Sequence, residues 1–193
     1  VEKIFNYFQN SSLFQWDDVH NNCEDRANAQ ALMLENWGVP CYKIWIYNGN
    51  KIDKDKSVLC ASCPSKVCWG YHVTVIIPYK DNGEIYYAAI DPATMSQLGT
   101  HISWAQDMTC SGTNYYQYSD ANMYIFETKN KKAILGSYKE NTSTHYKWTM
   151  IGLAAINGGS LGGKILSKLR KKKIKKVTQR FEKEKENKPV FLN

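Results

Sequence analysis

Apolar residues recur along this chain with two different periods, and each period marks its own kind of element. Between residues 23 and 37 (CEDRANAQALMLENW), Ala27, Ala31, Leu34 and Trp37 return every three or four positions, which predicts a helix with one buried face. The stretch is rich in Ala, Leu, Glu and Gln, which lose little side-chain freedom in a helix. Asn21 and Asn22 are the capping candidates, Glu24 and Asp25 put acidic groups in the first turn, and Gly38-Val39-Pro40 stops the helix. Ahead of it, residues 1–20 read as a short helix and a loop anchored by Phe5, Phe8, Leu13 and Phe14.

The pattern then changes. Residues 42–47 (YKIWIY), 71–79 (YHVTVIIPY) and 84–90 (EIYYAAI) are β-branched and aromatic, as strands are. The last two flank Lys80-Asp81-Asn82-Gly83, a hairpin signal. Residues 51–69 form a polar, Cys-rich excursion, and 123–128 and 132–135 are further strand candidates. Beyond them lie an apolar stretch (148–156), a glycine-rich stretch (157–163) and a basic segment, 164–186, in which Ile165, Leu169, Val177 and Phe181 make a broken helical stripe. The expected fold is α+β: a central antiparallel sheet packed against the helix that starts at Cys23, with a basic C-terminal helical tail. The expected division is a catalytic domain over residues 1–147 and a tail over 148–193, with the tail's apolar residues against the body or a partner and its lysines in solvent.

Charge follows the same division. Residues 164–188 hold 12 of the 25 Lys and Arg but 3 of the 18 Asp and Glu, so this stretch carries +9 and the rest of the chain −2. The high pI therefore belongs to the tail, which points to an acidic partner or an anionic surface, rather than to a body built to bind nucleic acid. No run of 18 apolar residues predicts a membrane span. Six cysteines suit an oxidising compartment, and a first residue that is Val rather than Met reads as processing; together they suggest a secreted or periplasmic protein.

Three residues form the candidate chemistry. Cys23 stands at the start of the predicted helix, where the partial positive charge and free N–H groups favour a thiolate and an oxyanion. Of the four histidines, His72 opens a strand inside Trp69-Gly70-Tyr71-His72. A four-residue hairpin loop sets His72 opposite Asp91; a two-residue Asn82-Gly83 turn sets Asp91 opposite Thr74, one diagonal step from His72. Both registers put His72 and Asp91 on one face of the sheet. A carboxylate there fixes the imidazole tautomer and steadies the imidazolium. The expected geometry has the Cys23 sulfur within hydrogen-bond reach of one His72 nitrogen or slightly beyond, about 3–4 Å, and Asp91 on the other. Helix-borne Cys, strand-borne His and Asp on the neighbouring strand follow the order of papain-like and transglutaminase-like cores. Trp45, Trp69, Tyr71 and Trp104 are candidates to line a substrate groove.

The segments Cys23-Glu24-Asp25-Arg26-Ala27, Cys41-Tyr42-Lys43, Trp69-Gly70-Tyr71-His72-Val73 and Ile90-Asp91-Pro92, with the stretch from Trp104 to Cys110, resemble the bacterial protein-glutaminases. The resemblance covers about residues 20–110. It implies Cys23 as nucleophile, His72 as general base and acid, and Asp91 as orienter, in hydrolytic deamidation of protein-bound glutamine to glutamate through a thioester. The spacing of Cys60 to Cys68 departs from the family, and the basic tail has no counterpart in it. The alternatives are a papain-like protease or a transglutaminase and, in another class, an interaction module acting through the tail.

Two further motifs carry less. Residues 158–164 (GGSLGGK) have phosphate-loop spacing, but Ile165 stands where Ser or Thr must meet Mg²⁺, so no nucleotide is expected. Cys60, Cys63 and Cys68 have no second clean cysteine pair for zinc. A disulfide involving that excursion is expected instead, with Cys23 free and neither metal nor cofactor bound.

Overall fold

The computed structural model describes residues 1–16, 22–48, 58–60, 68–109, 114–129, 132–156 and 165–192. In chain order its elements are α1 (Glu2–Asn10), α2 (Cys23–Asn36), β1 (Tyr42–Asn48), β2 (Val58–Cys60), β3 (Cys68–Trp69), β4 (Tyr71–Asp81), β5 (Glu84–Ile90), β6 (Gly99–Thr100), α3 (His101–Asp107), β7 (Met108–Thr109), β8 (Asn114–Asp120), β9 (Met123–Lys129), β10 (Lys132–Glu140), α4 (Ser143–Ile156) and α5 (Ile165–Glu186), followed by a 3₁₀ turn at Val190–Leu192. The α+β expectation is borne out. A five-stranded antiparallel sheet runs β6-β5-β4-β1-β8, and β9 with β10 and β3-β2-β7 make two smaller sheets.

Side chains alternate across the central sheet and separate two cores. Trp45, Tyr47, Val73, Val75, Ile77 and Ile90 face α1, α2, α4 and α5. Ile44, Ile46, Ile76 and Ala89 face Trp69, Trp104 and Met108. Strand β8 escaped the sequence reading because NYYQYSD lacks an apolar alternation; it is an edge strand whose Tyr115, Tyr116 and Tyr118 are exposed.

Helix α2 departs from the expected single buried face. From Asp25 to Ala31 it is buried on every side, and Asp25, Arg26, Asn28 and Gln30 are buried along with its alanines, Met33 and Leu34. Buried polar groups persist where they find partners, and these do. Arg26 donates to the carbonyls of Phe14 and Gln15. Asn28 donates to Thr149 Oγ1 (2.8 Å) and accepts from Lys43 Nζ (3.2 Å). Gln30 donates to the Ile90 carbonyl (3.0 Å), and Asp25 accepts from the Tyr124 hydroxyl (2.7 Å). Burial lowers the Lys43 pKa to about 7 and raises that of Asp25 to about 7.

The two C-terminal helices complete this environment. Met150, Leu153 and Ala154 of α4 and Val177 and Phe181 of α5 join the core around α2. Both Trp37 Nε1 and Asn36 Nδ2 donate to the Lys185 carbonyl. The expected domain boundary at residue 147 falls within α4. The lysines at 171, 172, 175 and 176 face solvent as expected; the side chains of Ile165 and Leu169 lie outside the described residues. Gly152 of α4 passes so close to α2 that a Cβ there would stand 1.8 Å from Asp25 Oδ2.

Two outcomes follow from this packing. Gly152→Ala is expected to lower stability by about 1–3 kcal/mol, the range for overpacking a filled interior, as read from urea denaturation. For Asp25, the folded pKa lies above the unfolded value of about 3.9, so the folded state binds the extra proton and wild-type stability falls as pH rises from about 4 to about 7. Asp25→Asn removes that slope. The stability of wild type minus variant is therefore expected to decline across this window in paired urea titrations, and a difference independent of pH would refute the buried-proton assignment.

Candidate active site

The strand-borne half of the site is built by one hairpin. Asp81 pairs with Glu84, so the loop is the two-residue Asn82-Gly83 turn. Asn82 (φ 49°) and Gly83 (φ 89°) are both left-handed, as a type I′ turn requires, and the twist of that turn matches the strands it joins. The register pairs Val75 with Ile90, which carries Asp91 to the level of Thr74 and one diagonal step from His72. The side chains close that step: His72 Nε2 and Asp91 Oδ2 are 2.7 Å apart, in a contact 2% and 4% exposed.

Asp91 Oδ2 accepts two more bonds, from Thr94 Oγ1 (2.6 Å) and from the Trp104 indole Nε1 (2.9 Å). Thr94 arrives through the turn that follows the strand, where the N–H groups of Thr94 and Met95 return to the Asp91 carbonyl. Trp104 arrives on α3, a short helix capped by Thr100. Burial alone would push the Asp91 carboxyl up. The His72 charge and hydrogen bond, with the donors Thr94 and Trp104, hold it below the ordinary carboxylate value. With an ionised acceptor on Nε2, that nitrogen carries hydrogen, and the neutral ring presents its lone pair at Nδ1. His72 Nδ1 is buried and has no hydrogen-bond partner. The ring is stacked on Trp69 (centroids 4.4 Å apart, 18° between planes) and tilted against Trp104 (5.8 Å).

Cys23 is the first residue of α2, and its thiol is free. Asn22 holds the N-cap position in a left-handed conformation (φ 63°, ψ 31°), and its side chain takes none of the first-turn N–H groups. The sulfur lies against the backbone N–H of Val73, the residue after His72, so helix start and histidine strand meet at the thiol. The sulfur and the imidazole share no hydrogen bond. The thiol donates instead to Glu24 Oε2, at 3.4 Å. Burial raises the Cys23 pKa well above the ordinary thiol value, and the Glu24 charge and hydrogen bond raise it further; Arg26 and the Val73 amide act in the opposite sense.

The four aromatic residues expected around a substrate groove take different places. Trp69 is nearly buried and stacks on His72. Tyr71 is half-buried, with its hydroxyl turned to Glu24. Trp45 is fully buried among Tyr71, Phe126 and Tyr138 and donates to Ser119. Trp104 is 1% exposed and is spent on Asp91. Trp45 and Trp104 therefore present no surface to a substrate in this conformation, because the flat aromatic bodies fill the two cores and their N–H groups are used inside. Thr94 and Gln30 are site neighbours that the sequence did not single out, and Glu24 stood out there only as an acidic residue of the first helical turn. Gln30 had a signal, a polar residue on the helix face that carries Ala27, Ala31 and Leu34.

His101 Nδ1 and His145 Nδ1 bind the backbone carbonyls of Tyr87 and Glu140, and His20 lies outside the described residues. Cys41 is a second free thiol. The expected disulfide of the 60–68 excursion falls on side chains outside the described residues. Among the described residues no group of three or more His, Cys, Asp or Glu could hold a metal ion, and no helix is long and apolar enough to cross a membrane.

Comparison with known proteins bears on this arrangement. No curated protein matches the chain in sequence. The crystal structure of a protein-glutaminase superposes with a TM-score of 0.61 at 21% identity, over 82% of this chain and 86% of that one. An NMR structure of protein-glutaminase from Chryseobacterium proteolyticum gives 0.57 at 22% identity, over 86% and 92%. The A47Q2 mutant of pro-protein-glutaminase gives 0.62 at 18% identity; it covers 84% of this chain, which spans 58% of the pro-protein. These likenesses establish a shared fold. A family model described as glutaminase matches residues 1–108, the segment that holds Cys23, His72, Asp91 and Trp104. With more than half of its length so matched, the chain belongs to the glutaminase family, a family of enzymes that act on glutamine.

Proposed function

We propose that this protein deamidates protein-bound glutamine to glutamate through Cys23, His72 and Asp91. The observation that carries the reading is the buried His72–Asp91 pair whose free Nδ1 belongs to the residue next to Val73, the amide against which the Cys23 sulfur lies. Family membership supports glutamine as the substrate. In the proposed reaction His72 Nδ1 takes the thiol proton, and the thiolate attacks the side-chain carboxamide carbon. The uncapped N–H groups at the start of α2 hold the tetrahedral oxyanion. The imidazolium, steadied by Asp91, returns its proton to the departing ammonia. Nδ1 then draws a proton from water, which hydrolyses the thioester to the glutamate carboxylate and the free thiol.

The exposed lysines of α5 support an encounter with an acidic partner or an anionic surface, over a Debye length of about 8 Å at physiological salt. The six cysteines support work outside the reducing cytosol, as a secreted enzyme or a delivered effector.

Cys23→Ala is expected to abolish ammonia release from a glutamine-containing protein, measured beside an assay for chain cleavage, while the circular dichroism spectrum stays that of wild type. Ammonia released at the wild-type rate overturns the assignment of the nucleophile; cleavage without ammonia makes the enzyme a protease.

Trp104→Phe removes one donor from Asp91. Since a hydrogen bond to a charged group is worth about 1.5–3 kcal/mol and about 1.4 kcal/mol is a factor of ten in rate, kcat should fall by about tenfold or more with KM little changed. Loss of the donor also lets the Asp91 pKa rise, so the acidic limb of the pH–rate profile should move to higher pH. An unmoved limb would assign Trp104 to packing alone.

A further inference from the structure

The Cys23 thiol is engaged by the wrong partner for attack. It donates to Glu24 Oε2 at 3.4 Å, while the buried His72 Nδ1, the base it needs, has no partner. A thiol proton held between sulfur and a carboxylate is not on its way to the imidazole, and a negative charge at that distance opposes formation of a thiolate. Left alone, Glu24 is an obstacle to the chemistry proposed above.

Among the described residues the charged and titratable groups around the thiol do not relieve it. Asp25 is buried and keeps its proton up to about pH 7, bound by Tyr124. Tyr71 and Tyr124 are held neutral by burial and by the neighbouring carboxylates. Arg26 is the local cation, and it is committed to the carbonyls of Phe14 and Gln15 and to the face of Trp16. Among the described residues Glu24 enters no ion pair: the pairs found are His72–Asp91, Arg180–Glu184 and Lys185–Glu182. Glu24 is only half-buried, so a group arriving from outside can reach it.

Among the described residues the missing component is therefore a cation, and a substrate can bring one at the right moment. We propose that Glu24 selects glutamines that stand beside a Lys or Arg in the substrate chain, and that pairing with this cation draws Glu24 off Cys23, freeing the thiol to pass its proton to His72 Nδ1. The inference rests on the Cys23–His72 reading of the reaction and adds a specificity-determining residue to it. No bond beyond those already described is made or broken: the thiol proton that Glu24 held goes to Nδ1, and the carboxylate keeps its charge and gains a counter-ion. An enzyme built this way stays quiet toward glutamines without the adjacent charge, which suits a nucleophile that meets many proteins.

The test uses three peptides identical except for the residue next to glutamine, which is Lys, its uncharged analogue norleucine, or Glu. Ammonia release is followed for the full chain, for Glu24→Gln and for Glu24→Ala. Wild type should favour the Lys peptide over norleucine by about tenfold in kcat/KM and disfavour the Glu peptide, a span that one screened ion pair near a protein surface can supply. In both variants the Lys-to-norleucine ratio should collapse toward one through a faster norleucine reaction. Independently, iodoacetamide labelling read at Cys23 by mass spectrometry, so that Cys41 does not count, should show its pH midpoint lower by about one unit or more in both variants. A wild type indifferent to the neighbouring residue overturns the proposal, as does a variant that keeps the wild-type ratio or the wild-type labelling midpoint. Absence of ammonia from every peptide, with labelling shifted as expected, would instead strike the deamidation reading and leave the hold of Glu24 on the thiol established.

Discussion

The 2.7 Å contact between His72 Nε2 and Asp91 Oδ2 is the interaction on which the rest of this structure depends. A carboxylate 3% exposed has lost its water, and it stays ionised only where donors replace that water. Three donors converge on one oxygen here, and each comes from a different piece of chain: a strand, the turn after the neighbouring strand, and a short helix. The hairpin turn that sets the register, the tight return of Thr94 and the placement of α3 all serve this one atom. The rings of Trp69 and Trp104 pack against His72, which is buried from water, and a dry setting strengthens the pairing.

Helix α2 must then be held against that strand, and the means are polar. Gln30 ties the helix to the Ile90 carbonyl, one residue before Asp91, so the helix that starts at Cys23 and the strand that ends before Asp91 are joined directly. Asp25, Asn28 and Arg26 are matched to Tyr124, Thr149 and two loop carbonyls. Such bonds have direction, so they fix the rotation and depth of the helix in a way that apolar contacts among alanines cannot. The C-terminal helices supply one of these partners, Thr149, and apolar cover from Met150, Leu153, Ala154, Val177 and Phe181. For that reason α4 and α5 pack as part of the interior, whatever the charge on their outer side.

How much of this could be read from the sequence depended on whether a signal was local. The α2 helix, the β4–β5 hairpin and the shared face of His72 and Asp91 follow from apolar spacing and one turn motif, and the glutaminase resemblance carried by short segments is matched by the family model. The α+β fold followed from those elements. What was not legible is what distant segments do to each other. Trp104 reads as any aromatic residue until α3 brings it to Asp91. Trp45 looks like a groove wall until β9 and β10 close over it. The polar residues of α2 looked solvated because their partners, Thr149 and Tyr124, are about a hundred residues or more away. The thiol turns to Glu24, its sequence neighbour, while Tyr71 also reaches Glu24 and the Val73 amide meets the sulfur, contacts that join the helix start to a strand about fifty residues on.

The central claim is that Cys23, with His72 as a base set by Asp91, forms a covalent bond with the side chain of glutamine. It is tested most directly by running the reaction on a glutamine-containing peptide in water labelled with oxygen-18, quenching part of it in acid during turnover. The account predicts the peptide attached to Cys23 as a thioester in the quenched enzyme, and an uncleaved product whose new glutamate carboxylate carries a single labelled oxygen. Labelled glutamate with no peptide ever found on Cys23, or label appearing at a cleaved backbone, would contradict it.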